Sequence, residues 1–226
     1  MNAKKIFLAL VCLSIAFPFQ AFSKGDPAKG KPIYGAICSG CHGANGEGLE
    51  VLHSPRLVGF KEDYLVSQLE KFRSGLRGAH PDDKHGQVMA RFAENLVARY
   101  SNYTNPTELQ SDVAAYIGTL ESQIPSRTET TGDPVKGANL YNGELRCVNC
   151  HGLEGRGLEQ SFEGIDPPRL AGQFDWYLIR QMQNFRDGIR GDSKDMAAIQ
   201  MGAIAKVLLV SDQKIMDIAA YLSTQE

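Results

Sequence analysis

Apolar residues recur along this chain at helical spacing. Two series place them at positions i, i+4 and i+7: Leu65, Leu69 and Phe72, then Leu178, Met182 and Phe185. A glycine follows each series, Gly75 or Gly188, at a position where helices commonly end. The region near the end of each half has its own series: Val113, Ile117 and Leu120, then Ile215, Ile218 and Leu222. No run alternates as a half-buried strand does, so the pattern predicts an all-α fold.

The chain contains one sequence pattern twice. Three pairs of segments match: GDPAKG (25–30) with GDPVKG (132–137), SPRLVGFKEDYLVSQLEKFRSGLRG (54–78) with PPRLAGQFDWYLIRQMQNFRDGIRG (167–191), and MARFAENL (89–96) with MGAIAKVL (201–208). Internal similarity over most of the length indicates two copies of one domain. We place the first domain at residues 24–120 and the second at 132–226. Residues 121–131 between them are polar and show no periodicity, which is typical of a linker.

Each copy is expected to contain three or four helices. Asp26-Pro27 and Asp133-Pro134 have the form of an N-cap followed by proline at the first helical position. Pro32 lies inside the predicted first helix and is expected to bend or break it.

The first 23 residues have the form of a signal peptide. Lys4 and Lys5 precede a 12-residue apolar run from Ile6 to Phe17, and Ala21-Phe22-Ser23 offers a cleavage site. An uncleaved anchor is the alternative, but the run is too short to span a bilayer. Cleavage would remove Cys12 and leave four cysteines.

Charge excludes one class of partner. The whole chain has a formal charge of −2, and loss of the signal peptide, with its two lysines, would make it more negative. A mildly acidic protein is not expected to bind nucleic acid.

The four remaining cysteines occur in two copies of Cys-x-x-Cys-His. CSGCHG contains Cys38, Cys41 and His42, and CVNCHG repeats the motif with Cys147, Cys150 and His151. On a helix, residues i and i+3 share one face, so two thiols can reach the two vinyl groups along one porphyrin edge. The histidine that follows can then bind the iron from below. The motif therefore predicts two covalently bound haems c.

Other cysteine chemistries fit less well. Structural zinc needs four ligands per site, and a thiol redox motif belongs in a βαβ setting that the helical pattern excludes. A disulfide between cysteines three residues apart would close a very small loop and stabilise little.

Each half resembles a class I cytochrome c, and the whole chain is similar to the two-haem cytochrome c4 family over nearly all of residues 25–224. The resemblance rests on the two cysteine motifs, on PRLVG and PRLAG, on the long repeated helix and on the Met-x-x-x-Ala-x-x-Leu segments. It implies two tandem cytochrome c domains, packed with their haem edges facing each other, in an electron carrier of the bacterial periplasm, either soluble or peripherally associated with the membrane. The first half departs from the family pattern at Pro32 and in a longer connection, AENLVARYSNYTNP, before its last helix.

The number of methionines in each domain narrows the candidates for the sixth iron ligand. Met89 is the single methionine of the mature first domain, although His53, His80 and His85 are rivals there. The second domain has no histidine besides His151, and Met201 aligns with Met89. Met196 is the alternative, but it lacks the alanine four residues further on. A His/Met pair would raise the iron potential relative to two nitrogen ligands, which suits a carrier late in a respiratory chain.

The resemblance also implies further haem-site residues. A proline carbonyl accepts the other ring N–H of the iron-binding histidine in class I cytochromes c, and the matching prolines are Pro55 and Pro168. Such a bond fixes the tautomer of the histidine. Four arginines recur in both copies and are candidates for haem propionate contacts: Arg56, Arg77, Arg169 and Arg190.

We therefore predict an electron carrier rather than an enzyme. Its redox partners would be a membrane-bound oxidase or a quinol-oxidising complex. One alternative is the haem subunit of a larger dehydrogenase with a flavin or molybdenum partner. Another is a two-haem enzyme acting on peroxide or sulfur compounds, which would need an open iron position or a spare reactive ligand. The oligomeric state has no sequence signal.

Overall fold

A computed structural model of the chain describes residues 24–121, 132–158 and 167–226. The predicted signal peptide, and the predicted linker from residue 122 on, lie outside these ranges. Within them the structure is helical and contains no strand, apart from an isolated bridge between Leu49 and Ser54. The predicted all-α fold is confirmed.

The two copies have the same order of elements. The first comprises α1 (Pro27–Ile33), a π-helical segment (Tyr34–Cys38), α2 (Ser39–His42), a 3-10 turn (Glu50–Leu52), α3 (Glu62–Arg73), α4 (Lys84–Arg99) and α5 (Pro106–Gly118). The second comprises α6 (Pro134–Asn139), a π-helical segment (Leu140–Glu144), α7 (Val148–His151), a 3-10 turn (Leu153–Gly155), α8 (Asp175–Arg186), α9 (Met196–Leu208) and α10 (Asp212–Ser223). Within the described residues, each copy thus has four main helices and a single-turn helix that carries the second cysteine and the histidine.

The predicted helix boundaries are confirmed at both ends. The Asp26 side chain accepts a hydrogen bond from Ala28 N at the start of α1, and Asp133 caps α6 in the same way. Gly75 and Gly188 follow α3 and α8 with φ of 77° and 76°, in the left-handed region that favours glycine.

Pro32 does not break the first helix. The helix continues through it and changes to π-helical geometry at Tyr34. The same change occurs at Leu140 in the second copy, where Asn139 stands at the position that corresponds to Pro32. The π-helical segment therefore belongs to the domain fold and is not caused by Pro32.

The first and last helices of each copy cross at very short range. The N-terminus of α1 is held by buried Asp112, whose Oδ1 accepts from Asp26 N at 2.7 Å, and Asp217 accepts from Asp133 N at 2.9 Å. A Cβ atom on Gly30 would lie 1.9 Å from the Asp112 carbonyl oxygen, and one on Gly137 would lie 1.9 Å from that of Asp217. The repeated glycine is therefore required for this crossing.

Gly30→Ala is expected to destabilise the holoprotein by about 2–3 kcal/mol or more, because the clashing atom is backbone and cannot rotate away. Gly35→Ala is the matched control, since a Cβ there meets nothing within 4 Å. Urea unfolding followed by circular dichroism measures both. Equal midpoints for the two variants would show that the crossing tolerates a methyl group.

An apolar core lies under each crossing. In the first copy, buried Leu109, Val113 and Ile117 of α5 pack against Leu65 of α3 and Leu96 of α4. The second core has the same construction, from Ile215, Ile218 and Leu222 of α10, Leu178 of α8 and Leu209. No helix in the described ranges has both the length and the apolar character needed to cross a bilayer.

Candidate haem sites

Each Cys-x-x-Cys-His motif lies where the opening helical segment of its copy ends. Cys38 is the last residue of the π-helical segment, and α2 carries Cys41 and His42. In the second copy, Cys147 is the N-cap of α7, which carries Cys150 and His151. The duplicated motifs therefore adopt corresponding positions.

A buried tyrosine fixes the backbone just after each motif. Tyr34 Oη donates to the Gly43 carbonyl oxygen at 2.6 Å, and Tyr141 Oη donates to that of Gly152 at 2.8 Å. These two glycines have φ of 84° and 74°, which glycine adopts without strain. The chain therefore turns sharply directly after each histidine.

The two motif histidines contact proline carbonyl groups. His42 Nδ1 lies 2.9 Å from Pro55 O, and His151 Nδ1 lies 3.0 Å from Pro168 O. A carbonyl can only accept, so Nδ1 carries the proton and the Nε2 lone pair is left for a metal. Burial lowers the pKa of both histidines, although the bonds to Pro55 and Pro168 partly oppose it. Both rings are therefore held neutral, which is the form that binds iron.

The first thiol of each motif is poorly suited to thiolate chemistry. Burial, with a smaller contribution from Cys41, raises the pKa of Cys38 to about 12. Burial also raises the pKa of Cys147 to about 11. A redox-active or zinc-binding cysteine needs the thiolate. In the described ranges no three His, Cys, Asp or Glu residues form a metal-binding group, and none of the four cysteines forms a disulfide.

The first motif opens into a cavity of about 370 Å³. Cys38, Cys41, His42 and Pro55 line it, together with Met89 of α4. Most of the remaining lining is apolar. The cavity thus brings together both thiols, the His42 imidazole and the Met89 thioether around an apolar space.

Two of the rival histidines also reach this cavity. His53 and His85 line it, and their ring centroids are 5.0 Å apart. His53 packs edge-on against Trp176 of the second copy at 5.4 Å. His80 is not part of the lining, and its Nδ1 accepts from Asp82 N.

In the second copy the two candidate methionines differ in burial. Met201 is partly buried and packs against the second core, as Cys147 does. Met196 is 70% exposed at the first position of α9. The packing therefore favours Met201 as a residue of the second site.

The two copies meet through a network of two arginines and two glutamines. Arg77 donates to Gln68 Oε1 at 2.6 Å and to Gln181 Oε1 at 3.2 Å. Arg190 donates to Gln181 Oε1 at 2.7 Å and to Gln68 Oε1 at 3.0 Å. Each guanidinium lies over a phenylalanine of its own copy, with 4.4 Å from Cζ to the ring centroid in both cases. The contact has approximate twofold symmetry, and each residue repeats in the other copy.

Further polar contacts cross the same interface. Gln173 accepts from Arg56 N at 3.0 Å and donates to Arg56 O at 2.9 Å. Lys71 pairs with buried Asp195 at 2.8 Å. Arg169 contacts the first copy near Gly59. All four arginines singled out by the repeat thus lie at or beside the interface.

A sequence profile of cytochrome c matches residues 27–121 and 134–226, which is most of the chain. The chain belongs to the cytochrome c family. Its tandem organisation is that of cytochrome c4, and it binds two haems c, which the two Cys-x-x-Cys-His motifs fit.

Similar proteins agree with this assignment. The chain is 27% identical to cytochrome c4 of Azotobacter vinelandii, over 95% of this chain and 96% of that one. It is 30% identical to a thiosulfate dehydrogenase electron acceptor of Stutzerimonas stutzeri, covering 82% and 77% of the two chains. The crystal structure of reduced recombinant cytochrome c4 from Pseudomonas stutzeri superposes with a TM-score of 0.65 and 25% identity, over 89% of this chain and 100% of that one.

The interface arginines fit the haem group independently of the cysteines. Within the described residues, Arg77 and Arg190 hydrogen-bond to neutral groups only, and Arg77 Nε has no hydrogen-bond partner. Arg77 is buried and Arg190 is partly buried, and burial together with the charge of Arg77 lowers the pKa of Arg190. Two neighbouring cations withdrawn from water need anions. A haem propionate is an anion of the required kind.

The sequence pattern did not identify Gln68, Gln181 and Tyr177 as site residues. Tyr177 Oη accepts from Arg77 at 3.0 Å, and the two glutamines link the arginines. All three lie in the longest repeated segment, where Tyr64, Gln68 and Arg77 recur as Tyr177, Gln181 and Arg190. Polar residues kept at the same positions of a duplicated amphipathic helix were the signal that could have found them.

Proposed function

We propose that this protein carries single electrons in the bacterial periplasm, from a respiratory donor to a terminal acceptor such as a cytochrome oxidase. Each bound haem supplies a one-electron iron couple. The observation that best supports this proposal is that the second copy contributes to the cavity of the first haem site, through Tyr177, Arg180 and Gln181. The second copy therefore forms part of the wall of the first haem site, which favours transfer between the haems over independent use of each.

The residues at each site have defined roles in this proposal. The cysteine pairs, Cys38 with Cys41 and Cys147 with Cys150, bind the haem edges covalently. His42 and His151 bind the irons, with Pro55 and Pro168 fixing their tautomers. Met89 and Met201 would be the second protein ligands of the two irons, and Arg77 and Arg190 would contact propionates at the interface. With two protein ligands on each iron, no position would be left open for a substrate, which is why we propose a carrier rather than an enzyme.

Periplasmic location is part of the proposal and follows from the N-terminal signal pattern together with covalent haem attachment. Intact mass of the purified protein is expected to show two haems and an N-terminus at Lys24. The same mass shows that the protein used in the functional test carries both haems.

The functional test uses the holoprotein reduced with half an equivalent of electrons. We expect NMR exchange between the oxidised and reduced forms of each haem to be fast and independent of protein concentration, because transfer occurs within one molecule. Exchange that is slow and accelerates with concentration would mean that the two domains act as separate carriers, and would overturn the proposal.

A second candidate is the electron-accepting partner of a sulfur-oxidising dehydrogenase. It is favoured by the 30% identity to the thiosulfate dehydrogenase electron acceptor of Stutzerimonas stutzeri. Thiosulfate dehydrogenase and thiosulfate, mixed with the oxidised holoprotein, distinguish the two candidates. Rapid reduction of both haems supports the partner role, whereas no reduction leaves the respiratory carrier as the better assignment.

A further inference from the structure

Helix α9 of the second domain exposes a continuous apolar face. Met196 is 70% exposed, Val207 is 73% exposed and Val210, just beyond the helix, is 69% exposed. Ile199 and Ala203 lie between Met196 and Val207 at the helical spacing that places these four residues on one side, and exposed Val210 follows directly after the helix. The other side of the helix buries Ala198, Gly202 and Ala205. We call these five exposed positions the α9 face.

The first domain shows that the fold does not require this face to be apolar. The corresponding residues of α4 are Lys84, Gln87, Arg91 and Asn95, followed by Ala98. Lys84, Arg91 and Asn95 are exposed as their counterparts are. Two copies of one domain thus present a polar surface and an apolar surface at the same place. Apolar side chains grouped in water commonly mark an interaction site.

The α9 face is not the side of the helix that contacts haem. In the first domain, Val88, Met89 and Phe92 of α4 line the cavity, whereas Lys84, Arg91 and Asn95 do not. The α9 face therefore looks outward. It lies on the same helix as Met201, so a partner seated on it would be separated from the second haem by little more than the thickness of one helix, about 10 Å.

The size of the face indicates a transient partner. A 13-residue helix is about 20 Å long and about 10 Å wide, so its footprint is on the order of 200 Å². A stable interface needs roughly 800 Å² from each partner, whereas weak redox encounters lie at the low end of interface size. A long-lived dimer of this chain therefore needs much more surface than the α9 face provides.

The charges around the face favour a protein over a lipid surface. Lys206 is the one charged residue within α9, and the flanking segments carry both signs: Asp192 and Lys194 before the helix, Asp212 and Lys214 after it. Helices that bind anionic lipids carry clustered Lys and Arg beside the apolar face. Mixed, sparse charge matches a partner whose own docking surface is apolar and nearly uncharged.

We infer that the α9 face is the docking surface through which the second haem exchanges electrons with a transient protein partner of this kind. The inference rests on the proposed carrier function and assigns one external contact to the second domain. Because few charges are involved, association is expected to depend only weakly on ionic strength.

The test measures electron transfer by stopped flow between the holoprotein and a blue-copper protein whose copper edge is surrounded by apolar residues. The variant Met196→Lys with Val207→Asn introduces the first domain's residues into the α9 face. We expect its second-order rate constant to fall about tenfold or more, because burial of two apolar side chains is lost. Val135→Asn is the matched control, since Val135 is 71% exposed on α6 and outside the face. Its rate should be unchanged, and ferricyanide should oxidise all three proteins equally.

Three results would overturn the inference. An unchanged rate for the double variant would show that docking occurs elsewhere. A rate that falls steeply with salt would show charge-directed docking. Binding of the wild type, but not the double variant, to phosphatidylglycerol vesicles would identify a membrane surface. Fast exchange between the haems in the double variant shows that the carrier function stands separately from the docking site.

Discussion

Replacing Met89 or Met201 with alanine is expected to remove half of the weak far-red sulfur-to-iron band of the oxidised protein. It should also lower the reduction potential of the affected haem by on the order of 100 mV, because methionine stabilises the reduced iron relative to harder ligands. The expectation for the first haem rests on Met89 as the methionine of its cavity. For the second haem it rests on the packing of Met201 against the second core, which Cys147 also contacts.

Met196→Ala is the control, because Met196 is exposed at the start of α9. It should leave the band and both potentials unchanged. A band that survives Met201→Ala but weakens in Met196→Ala would assign the ligand to Met196. A band that survives Met89→Ala, with a potential that responds to changes at His53 or His85, would place a histidine on the first iron.

Arg77→Gln is expected to destabilise the holoprotein by about 2–4 kcal/mol, because a buried propionate would lose its cation. The potential of the first haem should also fall by tens of millivolts, since a nearby positive charge favours the reduced iron and 59 mV corresponds to about 1.4 kcal/mol for one electron. Both effects follow from an arginine that is buried among neutral partners at the interface.

Arg73→Gln supplies the comparison. Arg73 is the last residue of α3, four residues before Arg77, but it makes a partly exposed pair with Glu70 at 2.6 Å. Such pairs contribute about 1 kcal/mol or less. Urea unfolding and redox titration should therefore show a clearly larger loss of stability and a larger shift of potential for Arg77→Gln than for Arg73→Gln. If both variants lost a similarly small amount of stability, Arg77 would not be a partner of the haem.

The sequence predicted the parts of this structure that depend on local chemistry. Asp26 and Asp133 cap helices because a short acidic side chain before proline satisfies free N–H groups wherever it occurs. Gly75 and Gly188 end helices because they reach φ values that other residues avoid. The haem motifs are recognisable for the same reason, since five neighbouring residues supply both thiols and the histidine that covalent haem attachment needs.

Contacts between the copies could not be predicted in the same way. Gln68 was visible as a repeated residue, but its bond to Arg190 depends on how the two domains pack, which no local pattern specifies. The close approach of Gly30 to Asp112 is likewise a property of two helices far apart in sequence. The prediction that Pro32 breaks the first helix was wrong, because the domain fold determines the backbone there. Both copies form a π-helical segment at this place, and the second copy has no proline at the position of Pro32.

The symmetry of the arginine–glutamine network has a consequence for the origin of the chain. Gln68 bonds Arg190 as Gln181 bonds Arg77, so each copy offers the same surface to the other. Contacts of this isologous kind are those that two identical subunits make. An ancestral single-haem protein could therefore have paired with itself before its gene was duplicated and fused. Fusion would turn a concentration-dependent association into a permanent one and free the two halves to diverge.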